Sequence, residues 1–176
     1  MVKKLLNQQL PTHWVSSCGR YHVSIATECI RDMLTLCRKH LPREIGASVY
    51  GTYSSDGFHA SVLGNSPITL DSVSERCSFH RGVEGASRFF MHLFRKTQGR
   101  QHYVGEWHSH PGGPPEPSAT DNRTLHAIAS DSETNCPECI LLLVGGDLRS
   151  YPKIGVYVYS RERGRVDLLP DATPEG

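Results

Sequence analysis

The chain has 176 residues, 38% of them apolar, with 19 basic and 18 acidic side chains and a formal charge of +1. That length suits one domain with a real hydrophobic core, and the balanced charge gives no electrostatic reason to expect nucleic acid or an anionic membrane as a partner. Nowhere do about 18 apolar residues run together, and Met1 to Gln9 carries no apolar segment of signal-peptide length. A cytoplasmic protein is therefore expected, with its six irregularly spaced cysteines as free thiols.

Residues 1–20 read as an N-terminal extension, 21–169 as one domain and 170–176 as a polar tail. Tyr21 to Ala26 is a short strand with Val23 and Ile25 on one side. Thr27 can cap a helix in which Ile30, Met33, Leu34 and Cys37 form one apolar stripe; Arg38, Lys39 and His40 suit its carboxyl end, and Pro42 stops it. Ile45 to Tyr53 is rich in strand formers, and Ser54-Ser55-Asp56-Gly57 turns it into a hairpin with Phe58 to Gly64. One more strand is expected near Val73 to Phe79. Val83 to Lys96 has helical spacing, with Ala86, Phe89, Phe90, Leu93 and Phe94 facing inward.

His102 to Trp107 is a strand that runs into His108-Ser109-His110-Pro111. The following Gly112 to Pro117 is too rich in proline and glycine for helix or central strand. Ser118 caps a helix to about Ser130, buried through Leu125, Ile128 and Ala129. Ile140 to Val144 is a continuous apolar run, as in a strand covered on both faces. Val156, Val158 and Val166 to Leu169 supply a closing pair of strands. The mixture predicts a layered α/β domain.

His108 and His110 stand two apart on a strand, so both imidazoles point to one face. Asp121 opens the next helix, and the stiff loop could fold that turn back over the histidines. Two imidazoles and a carboxylate are ordinary zinc ligands, and three protein ligands leave a fourth position for water, the catalytic pattern. The same letters also read as a satisfied histidine pair and a plain capping box. Trp107, by alternation, faces away from the histidines and belongs to the core. His13, His22, His40, His59, His80, His92, His102 and His126 share no such spacing. Cys136-Pro137-Glu138-Cys139 reads as a turn before a strand, with half a zinc site or a redox dithiol as the other readings.

The string His108-x-His110-Pro111, the loop, then Ser118-x-x-Asp121 resembles the JAMM motif of the MPN (Mov34/PAD-1) metalloproteases. Glu44-Ile45-Gly46 resembles that family's upstream glutamate, and Gly105-Glu106-Trp107 gives the motif the look of the bacterial branch, which includes deconjugating peptidases of anti-phage operons. The similarity runs from about Tyr21 to Tyr159. It implies a deaminase-like three-layer α/β/α fold with a central mixed sheet flanked by helices. It implies one catalytic zinc on His108, His110 and Asp121 with water as fourth ligand, Glu44 holding that water, and Ser118 helping to stabilise the oxyanion. The activity implied is hydrolysis of the amide at the carboxyl terminus of a ubiquitin-like or otherwise conjugated protein. E1- and E2-like proteins of the same operon are possible partners. Only about Asp131 to Glu138 separates helix from strand, so the long substrate-contacting insertion of eukaryotic deubiquitinases is short or absent.

Zinc lowers the pKa of its water and polarises the scissile carbonyl, and Glu44 can carry the proton from water to the leaving amine. Otherwise Glu44 is a surface carboxylate past a helix end, and Glu106 is the next candidate base. Ser118's hydroxyl serves either the oxyanion or its own helix amides, two competing uses. The competing functions are a general zinc peptidase acting on other protein carboxyl termini, such as sulfur-carrier precursors, and a non-catalytic MPN scaffold. A nucleoside deaminase would use Cys136 and Cys139 as ligands, but no proline stands directly before Cys136.

Overall fold

The computed structural model describes residues 10–171; the signal-peptide reading of residues 1–9 and the tail beyond residue 171 lie outside them. In chain order the elements are β1 (His13–Ser16), β2 (His22–Ile25), α1 (Thr27–His40), β3 (Gly46–Tyr53), β4 (His59–Asn65), β5 (Val73–Ser74), β6 (Phe79–His80) and α2 (Ala86–Lys96). Then follow β7 (His102–Pro111), α3 (Ala119–Ser130), β8 (Glu138–Asp147), β9 (Tyr151–Ser160) and β10 (Gly164–Pro170).

The α/β class and the mixed sheet are as expected. The strand order β1-β10-β9-β8-β7-β3-β4-β2 closes on itself, so the sheet is a barrel and not the open middle layer of a sandwich. β2 with β4 and β7 with β8 are the parallel pairs; the other neighbours are antiparallel. Closure needs β1, which lies in the stretch read as an extension and bonds to both β2 and β10. It brings Trp14 into the core.

Helices α1 and α3 pack on opposite faces of β8, which explains its unbroken apolar run. Ile140, Leu142 and Val144 join a cluster with Ile30, Met33 and Cys37 of α1. The alternate residues Cys139, Leu141 and Leu143 join a second cluster with Leu125 and Ala129 of α3. Helix α1 starts one residue earlier than expected. The Ala26 carbonyl accepts the Ile30 N–H at 3.1 Å, so Ala26 is the cap, and Thr27 makes no side-chain cap bond.

Two further expectations change. The strand near Val73 to Phe79 is the two-stranded hairpin β5–β6. The inward face predicted for α2 buries none of its residues fully, and Phe94 remains 50% exposed. With the sheet closed, α1 and α3 already cover the large clusters. Helix α2 packs through aromatic rings, Phe89 tilted against Tyr50 and Phe90 edge-on to Tyr103.

On β7 the pairing with β3 shifts between Val49 and Tyr50, at Gly105. A side chain at Gly105 would stand 1.9 Å from the Ile140 carbonyl oxygen, so only glycine fits this shift. Beyond it, Trp107 and Ser109 turn into the first core, and Glu106, His108 and His110 turn to the other face.

Both apolar clusters form without His108, His110 or Asp121. A chelator is therefore expected to leave the far-ultraviolet circular dichroism unchanged while lowering the melting temperature through linkage. Loss of the folded signal on chelation would mean that metal is structural here.

Candidate metal centre

Three donor groups meet where β7 ends and α3 begins. His108 Nε2 lies 3.1 Å from His110 Nε2 and 3.2 Å from Asp121 Oδ1. His110 Nε2 lies 3.9 Å from Asp121 Oδ2. An ion bound tetrahedrally at about 2.0–2.1 Å holds its donors about 3.3–3.4 Å apart. The observed spacings bracket that edge, so the donor set fits a small tetrahedral cation. Among the described residues this is the one cluster of three or more histidine, cysteine or acidic groups with metal-binding spacing.

The ring of His110 is oriented from behind. Its Nδ1 lies 3.2 Å from the Pro114 carbonyl oxygen. A carbonyl only accepts, so the proton sits on Nδ1 and the Nε2 lone pair faces His108 and Asp121.

Asp121 is fixed by the helix it opens. Its Oδ2 accepts the Ser118 N–H at 2.7 Å, and its own N–H donates to Ser118 Oγ at 3.1 Å. This is the predicted capping box, and it leaves Oδ1 towards His108. Burial works to raise the Asp121 pKa, but His108 and the Ser118 donors outweigh it and hold the group well below the usual carboxylate range.

Glu44 reaches the site through strand register. Gly46 pairs with His108 in the antiparallel β3–β7 ladder, and the same register continued two residues sets Glu44 against His110. The intervening residue is tied twice: the Ser109 N–H donates to the Ile45 carbonyl at 2.8 Å, and the Ile45 N–H donates to Ser109 Oγ at 3.0 Å. The hairpin β5–β6 holds Glu44 from the other side, with the Glu44 N–H donating to the Glu75 carbonyl at 2.7 Å and Ser74 Oγ donating to the Glu44 carbonyl. Burial pushes the Glu44 pKa up, the nearby His110 imidazole works against that, and Asp121 adds to it.

The site opens into a groove of about 770 Å³. Residues 76–81 of the β5–β6 hairpin form one wall, and Thr120, Thr124, Leu125 and Ile128 of α3 contribute to the other. Glu106 lines the same groove, but its carboxylate is engaged. Arg81 Nε stands 2.9 Å away, Tyr103 Oη donates at 2.7 Å and Ser48 Oγ at 3.3 Å. Burial raises its pKa to about 7 against the pull of Arg81, Tyr103 and Ser48. Sequence reasoning missed this pairing, and it missed Ser109; a serine between two histidines on the core-facing side of a strand was the available signal.

Cys136 and Cys139 are buried and free, as are the other four cysteines in being unbridged. They sit in the second core cluster, beside Tyr53 and Tyr103, and take no part in the His/Asp group. The deaminase reading fails on that placement. Trp107 lies in the core, as its alternation predicts.

The donor geometry leads to a direct expectation. The purified protein should hold about one equivalent of divalent metal, and His108→Ala, His110→Ala or Asp121→Ala should each abolish it. Cys136→Ser with Cys139→Ser should leave it intact. Elemental analysis of the same preparations decides, and metal that follows the cysteines would contradict the assignment.

Comparison with known proteins agrees with this arrangement. Residues 26–154 match the family described as prokaryotic homologs of the JAB domain. The chain is 39% identical over 127 residues to a CD-NTase/cGAS isopeptidase of Enterobacter hormaechei, covering 72% of this chain and 69% of that protein. It is 37% identical over 92 residues to a CD-NTase/cGAS isopeptidase of Vibrio cholerae, covering 51% and 54%. A probable metalloprotease of Sinorhizobium fredii is 40% identical over 104 residues, covering 58% and 63%. A solution structure of a Desulfitobacterium hafniense protein shares the fold at a TM-score of 0.57 and 22% identity, over 82% of this chain and 88% of that one. The family match spans well over half of the sequence, and the chain belongs to the prokaryotic JAB-domain family.

Proposed function

We propose that this chain is a zinc-dependent isopeptidase that hydrolyses the amide joining the carboxyl terminus of a conjugated protein to its target. The observation that carries this reading is the convergence of His108, His110 and Asp121 within 3.1–3.9 Å of one another at the floor of an open groove. The names of the Enterobacter and Vibrio relatives support isopeptidase chemistry on a CD-NTase conjugate and a role in anti-phage defence. On this reading the protein acts in the cytoplasm beside the E1- and E2-like proteins that make the conjugate.

Zinc held by the triad would supply a Lewis acid that lowers the pKa of water and polarises the scissile carbonyl. Glu44 does the proton work. Its carboxylate accepts a proton as water adds to the amide carbon, and returns it to the nitrogen as the C–N bond breaks, giving a carboxylate and an amine. Burial favours the protonated form of Glu44, which makes the carboxylate a stronger base than one in water.

Ser118 serves both the helix cap and the oxyanion on this reading. The helix cap occupies a lone pair of Oγ, which accepts the Asp121 N–H. Its hydroxyl proton, which also serves the Asp121 carboxylate, would turn to the oxyanion of the tetrahedral intermediate. The groove receives the extended tail, with the hairpin arginines Arg76 and Arg81 along one wall. Arg81 is held by Glu106, so Glu106 is a support of that wall and Glu44 is the base.

The test is Glu44→Gln, which keeps size and a hydrogen bond but cannot take the proton. Metal content should stay at the wild-type level, and turnover of a carboxyl-terminal protein conjugate should fall by roughly 10²–10⁴-fold. Wild-type turnover in Glu44→Gln would move the base elsewhere.

A further inference from the structure

The loop between the second histidine and α3 must hold two things still: the ring of His110 and the first turn that carries Asp121. The structure shows what holds it. The Gly112 N–H donates to the Gly146 carbonyl at 3.0 Å, and the Gly146 N–H donates back to the Gly113 carbonyl at 2.7 Å. This pins the loop to the end of β8. Further along, Tyr157 Oη on β9 donates to the Pro115 carbonyl at 2.7 Å, one residue beyond the Pro114 carbonyl that accepts from His110 Nδ1.

The loop can lie this low only because two strand residues have no side chain. A Cβ at Gly145 would stand 2.6 Å from the Gly113 carbonyl oxygen and 2.7 Å from the Pro115 nitrogen. One at Gly155 would stand 2.1 Å from the Pro115 carbonyl oxygen. These contacts are with backbone, so a side chain could be accommodated only by lifting the loop. Neither glycine has a left-handed backbone, and close approach is the reason for both.

We propose that Tyr157, with Gly145 and Gly155, is a positioning element for the metal centre: it clamps the 112–117 loop against β8 and β9, so that the Pro114 carbonyl fixes the tautomer of His110 and Asp121 is delivered to the histidines. Tyr157 touches neither metal nor substrate and acts through the loop. It lies outside the His-x-His and Ser-x-x-Asp segments, some 36 residues beyond Asp121 in the chain by the numbering. The inference rests on the His108, His110 and Asp121 metal reading.

Tyr157→Phe removes one oxygen and keeps the ring. Tyr53→Phe is the matched control, because Tyr53 Oη also donates to a backbone carbonyl, that of Glu138 at 2.6 Å, away from the loop. Zinc affinity is measured by competition with a chromophoric chelator, and the ligand field by the visible spectrum of the cobalt-substituted protein, both on the full chain. Tyr157→Phe should weaken zinc binding by about tenfold, the lower end for loss of an outer support, and should shift the cobalt bands. Tyr53→Phe should match wild type in both readouts. Gly155→Ala should weaken binding more than Tyr157→Phe does. Wild-type affinity and cobalt spectrum in Tyr157→Phe would overturn the clamp, as would an equal loss in Tyr53→Phe. A wild-type protein that binds no zinc or cobalt would instead overturn the metal reading itself, and the clamp with it.

Discussion

The site depends on one constraint: the end of β7 and the start of α3 must be held within a few ångströms although a proline- and glycine-rich loop lies between them. Strand geometry alone gives a pair of imidazoles on one face, and helix geometry alone gives a capped first turn. Neither brings Asp121 to His108. The loop does so while lying against β8 and β9, and the same backbone supplies the Pro114 carbonyl that sets the His110 ring. Proline removes donors that would otherwise need partners here and narrows the loop's conformations, which reduces the entropy lost in fixing it. The donor geometry is thus a property of the sheet as much as of the four motif residues.

Charge is the second organising fact. Glu44, Glu106 and Asp121 all line the groove, and the charge of Asp121 disfavours the ionised form of Glu44. Each carboxylate is handled differently. Glu106 is buried against Arg81 and three hydroxyl contacts from Tyr103 and Ser48. Asp121 is stabilised by His108 and the helix cap, and stays anionic. Glu44 has neither a cation of its own nor a cap, and burial tilts it towards protonation. On the proposed mechanism three similar side chains become a support, a ligand and a base through their surroundings. A divalent ion on the triad would add the positive charge that this cluster favours.

Much of this was legible in the sequence because it is local. The stripe of Ile30, Met33 and Cys37, the apolar run of β8, the Ser118 cap and the His108/His110 spacing are all set within a few residues. What was not legible is what non-local pairing decides. Strand β1 is four residues long, too short for its period to speak, and it joins the sheet only through β2 and β10. Helix α2 has a clear apolar face, but periodicity says which residues share a face and not whether a core is left to receive it. Closure of the sheet answered that, leaving Met91 and Phe94 about half exposed. Glu44 was named from a motif; the double tie between Ile45 and Ser109 that fixes it opposite His110 belongs to the β3–β7 register, which no local pattern contains.

X-ray absorption at the zinc edge of the purified, metal-replete protein tests the central claim most directly, since it reads the ligand atoms without a substrate. Coordination by His108, His110, Asp121 and water predicts only nitrogen and oxygen neighbours at about 2.0–2.2 Å, with the multiple-scattering signature of two imidazoles. Sulfur at about 2.3 Å would place the metal on cysteine and contradict the triad.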